Sequence, residues 1–214
     1  SHRYEFFASA MGRYDSAGNH VLGFRARSNA TGTVVTPTDA HRIAIWDGST
    51  IDVRIKQSDL ITGLQDTTAT GDERFGNSVG SAHLLDNGVI GTQDSTITGI
   101  HSSRRPAIMY DHAGFQQSNV SAMTALDGSA STWATFLANT FYTTPDGEHW
   151  IALGRRAGQG LSDDMLAYDN TAVIETGQPI GASGVVVSDV FAADILADGT
   201  WLARGDDPAD NDYF

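Results

Sequence analysis

The segment DGEHWIALGRRAGQGLSDDMLAYDN, Asp146 to Asn170, carries both of the turn signals on which the fold is decided. It opens on an Asp-Gly pair and runs into the apolar stretch Trp150-Ile151-Ala152-Leu153. It closes on a second apolar run, Leu166-Ala167-Tyr168, that ends on an aromatic followed by Asp169-Asn170. Asp-Gly and Asn-Gly pairs supply the positive φ angles of tight hairpins, so their position marks a strand reversal. Short apolar runs bounded by such residues read as strands. Two reversals in one stretch make a hairpin pair.

Each signal returns along the chain. The first recurs as Asp15-Ser16-Ala17-Gly18 before Val21-Leu22-Gly23-Phe24, as Asp86-Asn87-Gly88 before Val89-Ile90, and as Asp198-Gly199 before Trp201-Leu202-Ala203. The second recurs as Ala44-Ile45-Trp46-Asp47-Gly48 and Ala107-Ile108-Met109-Tyr110-Asp111. A further strand follows it, Ile51-Asp52-Val53-Arg54-Ile55 in one copy and Ala172-Val173-Ile174-Glu175 in another. The copies lie about 50 to 70 residues apart, and two hairpins per period make a four-stranded unit, as a propeller blade requires. The expected fold is all-β: four-stranded antiparallel blades forming a β-propeller or partial propeller within a single domain, residues 1–214. The approximate repeats are 4–63, 75–127, 130–181 and an incomplete fourth, 184–214. Tyr4–Met11 is needed as the first strand of the first repeat, so the fourth is left one hairpin short and with an edge open to association. The aromatics Trp46, Tyr110 and Tyr168 are expected to pack one blade on the next. Helical spacing shows only at Trp133, Phe136, Leu137 and Phe141, and that stretch reads equally as an aromatic-rich strand.

Composition narrows the function classes. Thirteen Lys and Arg face 26 Asp and Glu, giving a net charge of −13. Such a surface repels phosphate backbones and excludes nucleic acid as a natural partner. With no cysteine there is no disulfide, zinc-thiolate site or cysteine nucleophile. No apolar run approaches the length of a spanning helix. Twenty-three glycines, abundant Ser, Thr, Asn and Asp, and a start at Ser1-His2-Arg3 without Met fit an exported chain (periplasmic, cell-surface or secreted).

The Asp-Gly turns, the aromatic-Asp turns and the closing Gly177-Gln178-Pro179-Ile180-Gly181 together resemble the repeats of exported bacterial β-propeller-like proteins. Gln57-Ser58-Asp59-Leu60-Ile61-Thr62-Gly63 is a degenerate counterpart of the closing element. The resemblance implies an exported repeat scaffold and transfers no active site.

Candidate chemistry is sparse. Asp206, Asp207, Asp210 and Asp212 form the densest carboxylate cluster and are the candidate calcium ligands, with a solvated acidic loop as the alternative. Gly76-Asn77-Ser78-Val79-Gly80 matches the nucleophile-elbow pattern, but it leads into a strand, where the motif has no mechanical meaning. Asp146 and Glu148 flank a turn, and the seven histidines have no metal-binding spacing. Asn29-Ala30-Thr31 and Asn119-Val120-Ser121 are sequons in form. The expected function is a non-enzymatic structural or interaction scaffold, a subunit of a larger assembly, with a protein partner or self-association. Its contacts are expected in loops 28–40, 65–74 and 155–164. The alternative is a carbohydrate- or calcium-binding module using Trp133 or Trp150 to stack on a sugar; a third reading is a propeller-type hydrolase or lyase.

Overall fold

The computed structural model describes residues 2–14, 18–30, 41–64, 73–76, 79–96, 106–160 and 164–213. These residues form sixteen β-strands and no helix. The chain divides into two compact units, Ser1–Gln116 and Gln117–Phe214.

The first unit holds two four-stranded sheets. One runs in chain order through β1 (His2–Tyr14), β2 (His20–Ala30), β3 (His41–Trp46) and β4 (Ile51–Lys56). The other runs through β5 (Val79–Leu84), β6 (Ile90–Ser95), β7 (Pro106–Tyr110) and β8 (Ala113–Gln117). Both are meanders in which each strand pairs with its sequence neighbour, the connection that short turns allow. Ile43, Ile45 and Ile55 of the first sheet share one buried cluster with Ile90, Ala107 and Met109 of the second.

The second unit departs from the simple blade. Strands β10 (Ala130–Thr143), β11 (Trp150–Arg156), β12 (Met165–Tyr168) and β13 (Thr171–Glu175) form the expected meander. A short β9 (Ala122–Thr124) pairs antiparallel with β10 and meets β13 at the single parallel bridge Thr124–Thr171, closing five strands on themselves. The closure is made by Asn170, whose side chain accepts the Trp133 indole N–H at 2.7 Å and donates to the Ala122 carbonyl at 2.6 Å. The last sheet, β14 (Asp189–Ile195), β15 (Trp201–Asp206) and β16 (Asp212–Tyr213), has three strands rather than one hairpin.

Turn chemistry explains where strands reverse. Gly88, Gly147 and Gly199 occupy the β5–β6, β10–β11 and β14–β15 turns at φ near 80°. Gly48 holds the β3–β4 turn at φ 97°. The corresponding turns of the next two repeats use Asp111 (φ 46°), and Asp169 (φ 44°) with Asn170 (φ 71°). Asp and Asn tolerate the left-handed region better than other residues with a side chain.

The ambiguous stretch 130–141 is one strand. Its helix-like spacing comes from irregular register: Phe136 pairs with Gly154 but Phe141 pairs with Ala152, so residues 137–140 loop out. Asn139 turns that excursion at φ 62°, and the Thr140 hydroxyl bonds the Leu137 and Leu153 carbonyls. Trp133, Phe136 and Phe141 thereby all become buried.

Candidate functional site

The aromatic-Asp turns lock hairpins together. Asp169 Oδ1 accepts the Trp150 N–H at 2.9 Å, and the Asp169 N–H donates to the Trp150 carbonyl. Asp111 repeats both bonds on Ile90, its Oδ1 accepting the Ile90 N–H at 3.1 Å. The second oxygen takes a side-chain nitrogen in each case: Arg54 Nη2 at 2.9 Å from Asp111, and His149 Nδ1 at 2.5 Å from Asp169. His149 stacks on Tyr168 with ring centroids 5.4 Å apart, and the bond to Asp169 raises its pKa above the ordinary imidazole value. Asp47 differs. Its carboxylate turns inward to the Ser49 and Thr50 amides and hydroxyls, which hold it far below the usual range. The aromatics are less buried than expected: Trp46 is exposed, while Tyr110 and Tyr168 are half-buried.

The acidic loop is organised by one of its own members. Asp207 Oδ1 accepts the Ala209 and Asn211 amides, and both its oxygens receive the Asn211 side chain. Asp210 sits at φ 59° in that turn, and Asp212 lies 3.5 Å from Arg204. Asp206 and Asp212 are register partners across β15 and β16. Partial burial, then the neighbouring Asp212, raises the Asp206 pKa. Among the described residues no three His, Asp or Glu side chains are grouped to hold a metal. Ser78 and the centre of its motif lie outside the described residues, as do 31–40, 65–72, 161–163 and His101. Asp146 caps its own turn, accepting the Thr144 hydroxyl and the Glu148 amide. Trp133 and Trp150, expected as sugar-stacking surfaces, are buried instead: the looped-out strand β10 turns Trp133 and Phe141 into the core, and Trp150 at the start of β11 packs beside both.

Three features had no signal in the sequence. Asp94 is buried on β6, with one oxygen accepting the Gly76 N–H at 3.0 Å and the other without a hydrogen-bond partner. Burial lifts its pKa to about 7. In the second unit, Arg156 grips the buried Glu175 with two hydrogen bonds (3.0 and 3.2 Å) on the wall of a cleft of about 400 Å³ that also includes Leu126, Asp127, Gln178 and Pro179.

The third is a surface. Ile151 and Leu153 on β11 and Leu166 on β12 are buried against Val190, Ala193, Ile195 and Ala203 of the last sheet. The turn bonds Thr144 N–H to His149 O and Leu196 N–H to Thr200 O align the two hairpins, making Leu202 the counterpart of Ile151 and Arg204 that of Leu153. Ile151 is 0% exposed, yet Leu202 is 55% exposed, with Phe191 at 46% and Leu196 at 47%. The face that one sheet covers with its successor is bare on the last.

No family model matches the chain, and no curated protein does. Among solved structures it is similar to the Dos1 propeller, at 10% identity and a TM-score of 0.32, with 93% of this chain covered. It spans 42% of that chain's length.

Proposed function

We propose that the protein is a non-enzymatic structural or interaction scaffold. Its sheets act as propeller-like blades, and the scaffold is an exported subunit of a larger assembly. The observation that carries this reading is the bare outer face of β14 and β15, where Leu202 occupies the position that Ile151 fills in a covered sheet. An apolar face rimmed by polar residues is a place where another protein binds. The acidic composition, rich in Gly, Ser, Thr, Asn and Asp, supports export.

The cysteine-free background gives a direct test. Thiol labelling of Leu202→Cys in the folded chain is expected to proceed near the rate of a free thiol, while Ile151→Cys stays protected. A protected Leu202→Cys in a monomeric sample would mean that the face is already covered within the chain, and the reading fails.

A second reading, a carbohydrate- or calcium-binding module, draws on the cleft at Arg156. Asp127, Arg156 and Gln178 offer acceptors and donors suited to sugar hydroxyls, and the cleft has the volume of a small-ligand site. Calcium would draw on Asp206 and Asp212. Calorimetric titration of the chain with oligosaccharides and with calcium tests both, and the absence of heat in each removes this reading.

A further inference from the structure

The outer face of the last sheet carries charge as well as apolar surface, and the arrangement of that charge identifies an occupant. Register places Ala192 beside Arg204 and Asp194 beside Leu202, so these four side chains form a square on one face. They line a shallow groove of about 380 Å³. Asp194 and Arg204 stand on one diagonal; Ala192 and Leu202 stand on the other. Phe191 extends the apolar part, with the Arg204 guanidinium 5.9 Å from its ring centroid.

We infer that this face binds the same face of a second copy of the chain, about a two-fold axis along the Ala192–Leu202 diagonal. The inference rests on the scaffold reading above. Rotation about that axis exchanges the Asp194 and Arg204 positions. Each carboxylate then meets the other copy's guanidinium, and Leu202 meets Leu202. A two-fold interface needs this kind of self-complementary patch. Both charged groups have capacity to spare. Asp194 Oδ1 takes the Ile195 N–H, leaving Oδ2, and Arg204, besides its place over the Phe191 ring, makes one long hydrogen bond, 3.5 Å to Asp212. A guanidinium carries five donors.

The size of the face sets the strength. Three strands about 4.8 Å apart, of seven, six and two residues at about 3.3 Å each, present roughly 240 Å² per copy. The pair therefore buries less than the roughly 1,200 Å² of a stable complex, and the dimer is weak, with Kd on the order of tens to hundreds of micromolar. A net charge of −13 per copy opposes association, so added salt strengthens it until the ion pairs themselves are screened.

The test is sedimentation of the full chain from a few micromolar to about 1 mM, with Asp194→Arg and Arg204→Asp run alone and mixed. Both positions are exposed, and the variants are expected to melt with the parent chain. The expected result is a concentration-dependent dimer that each variant weakens at least about tenfold, with the equimolar mixture regaining it. A chain monomeric throughout, or a dimer indifferent to both substitutions, overturns the second copy as occupant. Either failure leaves the scaffold reading standing if the thiol at position 202 reacts freely. A protected thiol in a monomer sinks that reading itself.

Discussion

Asp169 holds Trp150 by two bonds, its carboxylate accepting the Trp150 N–H at 2.9 Å and its own N–H donating to the Trp150 carbonyl. This joins the β12–β13 turn to the residue just past the β10–β11 turn, and Asp111 in the β7–β8 turn does the same to Ile90 just past the β5–β6 turn. The repeated aromatic-Asp signal is therefore a clamp between hairpins. Asp111→Ala and Asp169→Ala are each expected to lower stability by about 1–3 kcal/mol, because each leaves a half-buried amide without its partner. Urea denaturation of both variants checks this, and a loss at only one of them contradicts the shared role.

His149 adds a pH dependence to the second clamp. Its pKa is raised first by the hydrogen bond to Asp169 and then, after an opposing desolvation effect, by the charges of Asp169, Glu148 and Asp146. A folded-state pKa above the unfolded value gives stability that is fully present below about pH 6.5 and is lost as pH rises through the folded pKa. The melting temperature is expected to fall over that window, and His149→Gln to remove this part of the fall. Melting curves of both chains from pH 5 to pH 9 decide it.

Asp94 gives a second pH effect with a different site and window. Burial raises its carboxyl to about 7, outweighing the Ser95 and Gly76 backbone amides and the charge of Arg25, which favour the ionised form. Here too a raised pKa means stability present below the unfolded value, near 4, and lost as pH rises through about 7. A rise of that size is on the order of 4 kcal/mol between protonation states. Asp94→Asn removes the charge and keeps the acceptor for Gly76, so it is expected to stabilise the chain by about 1–3 kcal/mol at pH 8 and to change little at pH 4. Denaturant midpoints at the two pH values measure it. A destabilised variant at pH 8 would contradict the account.

Asn170 is the closing pin of the five-stranded sheet, serving Trp133 on one side and Ala122 on the other. Asn170→Gly preserves the φ of 71° and removes both bonds, with an expected loss of about 2–3 kcal/mol. Gly154 supports the same aromatic from below. A Cβ there would lie 2.7 Å from the Trp133 ring and 2.4 Å from the Thr135 carbonyl oxygen, so Gly154→Ala is expected to destabilise through overpacking by about 1–3 kcal/mol. Thermal melts and tryptophan fluorescence report both changes.

The hairpins were legible because turn residues obey local rules: Gly88, Gly147 and Gly199 need no tertiary information to predict their φ. The register of β10 was not legible. Its aromatic spacing depends on which residues loop out opposite Gly154 and Ala152, and that is settled by partner strands. The fifth strand escaped for the same reason, since it depends on Asn170 bonding a carbonyl 48 residues away. The acidic run was visible as charge, but Asp207 spends its oxygens on the Ala209 and Asn211 amides of its own turn. Asp94 stood in an ordinary strand sequence, Ile90–Ser95, and only burial gives it a perturbed carboxyl.

The bare face rests on the equivalence of Ile151 and Leu202, and the most direct measurement places the same charge at each. Thermal unfolding of Ile151→Asp and Leu202→Asp, recorded at low concentration, should separate them completely. Ile151→Asp is expected to fail to fold or to lose several kcal/mol, since an unpaired carboxylate is then buried, while Leu202→Asp melts with the parent chain. A Leu202→Asp variant as damaged as Ile151→Asp would show that the outer face of the last sheet is part of the protein's own core.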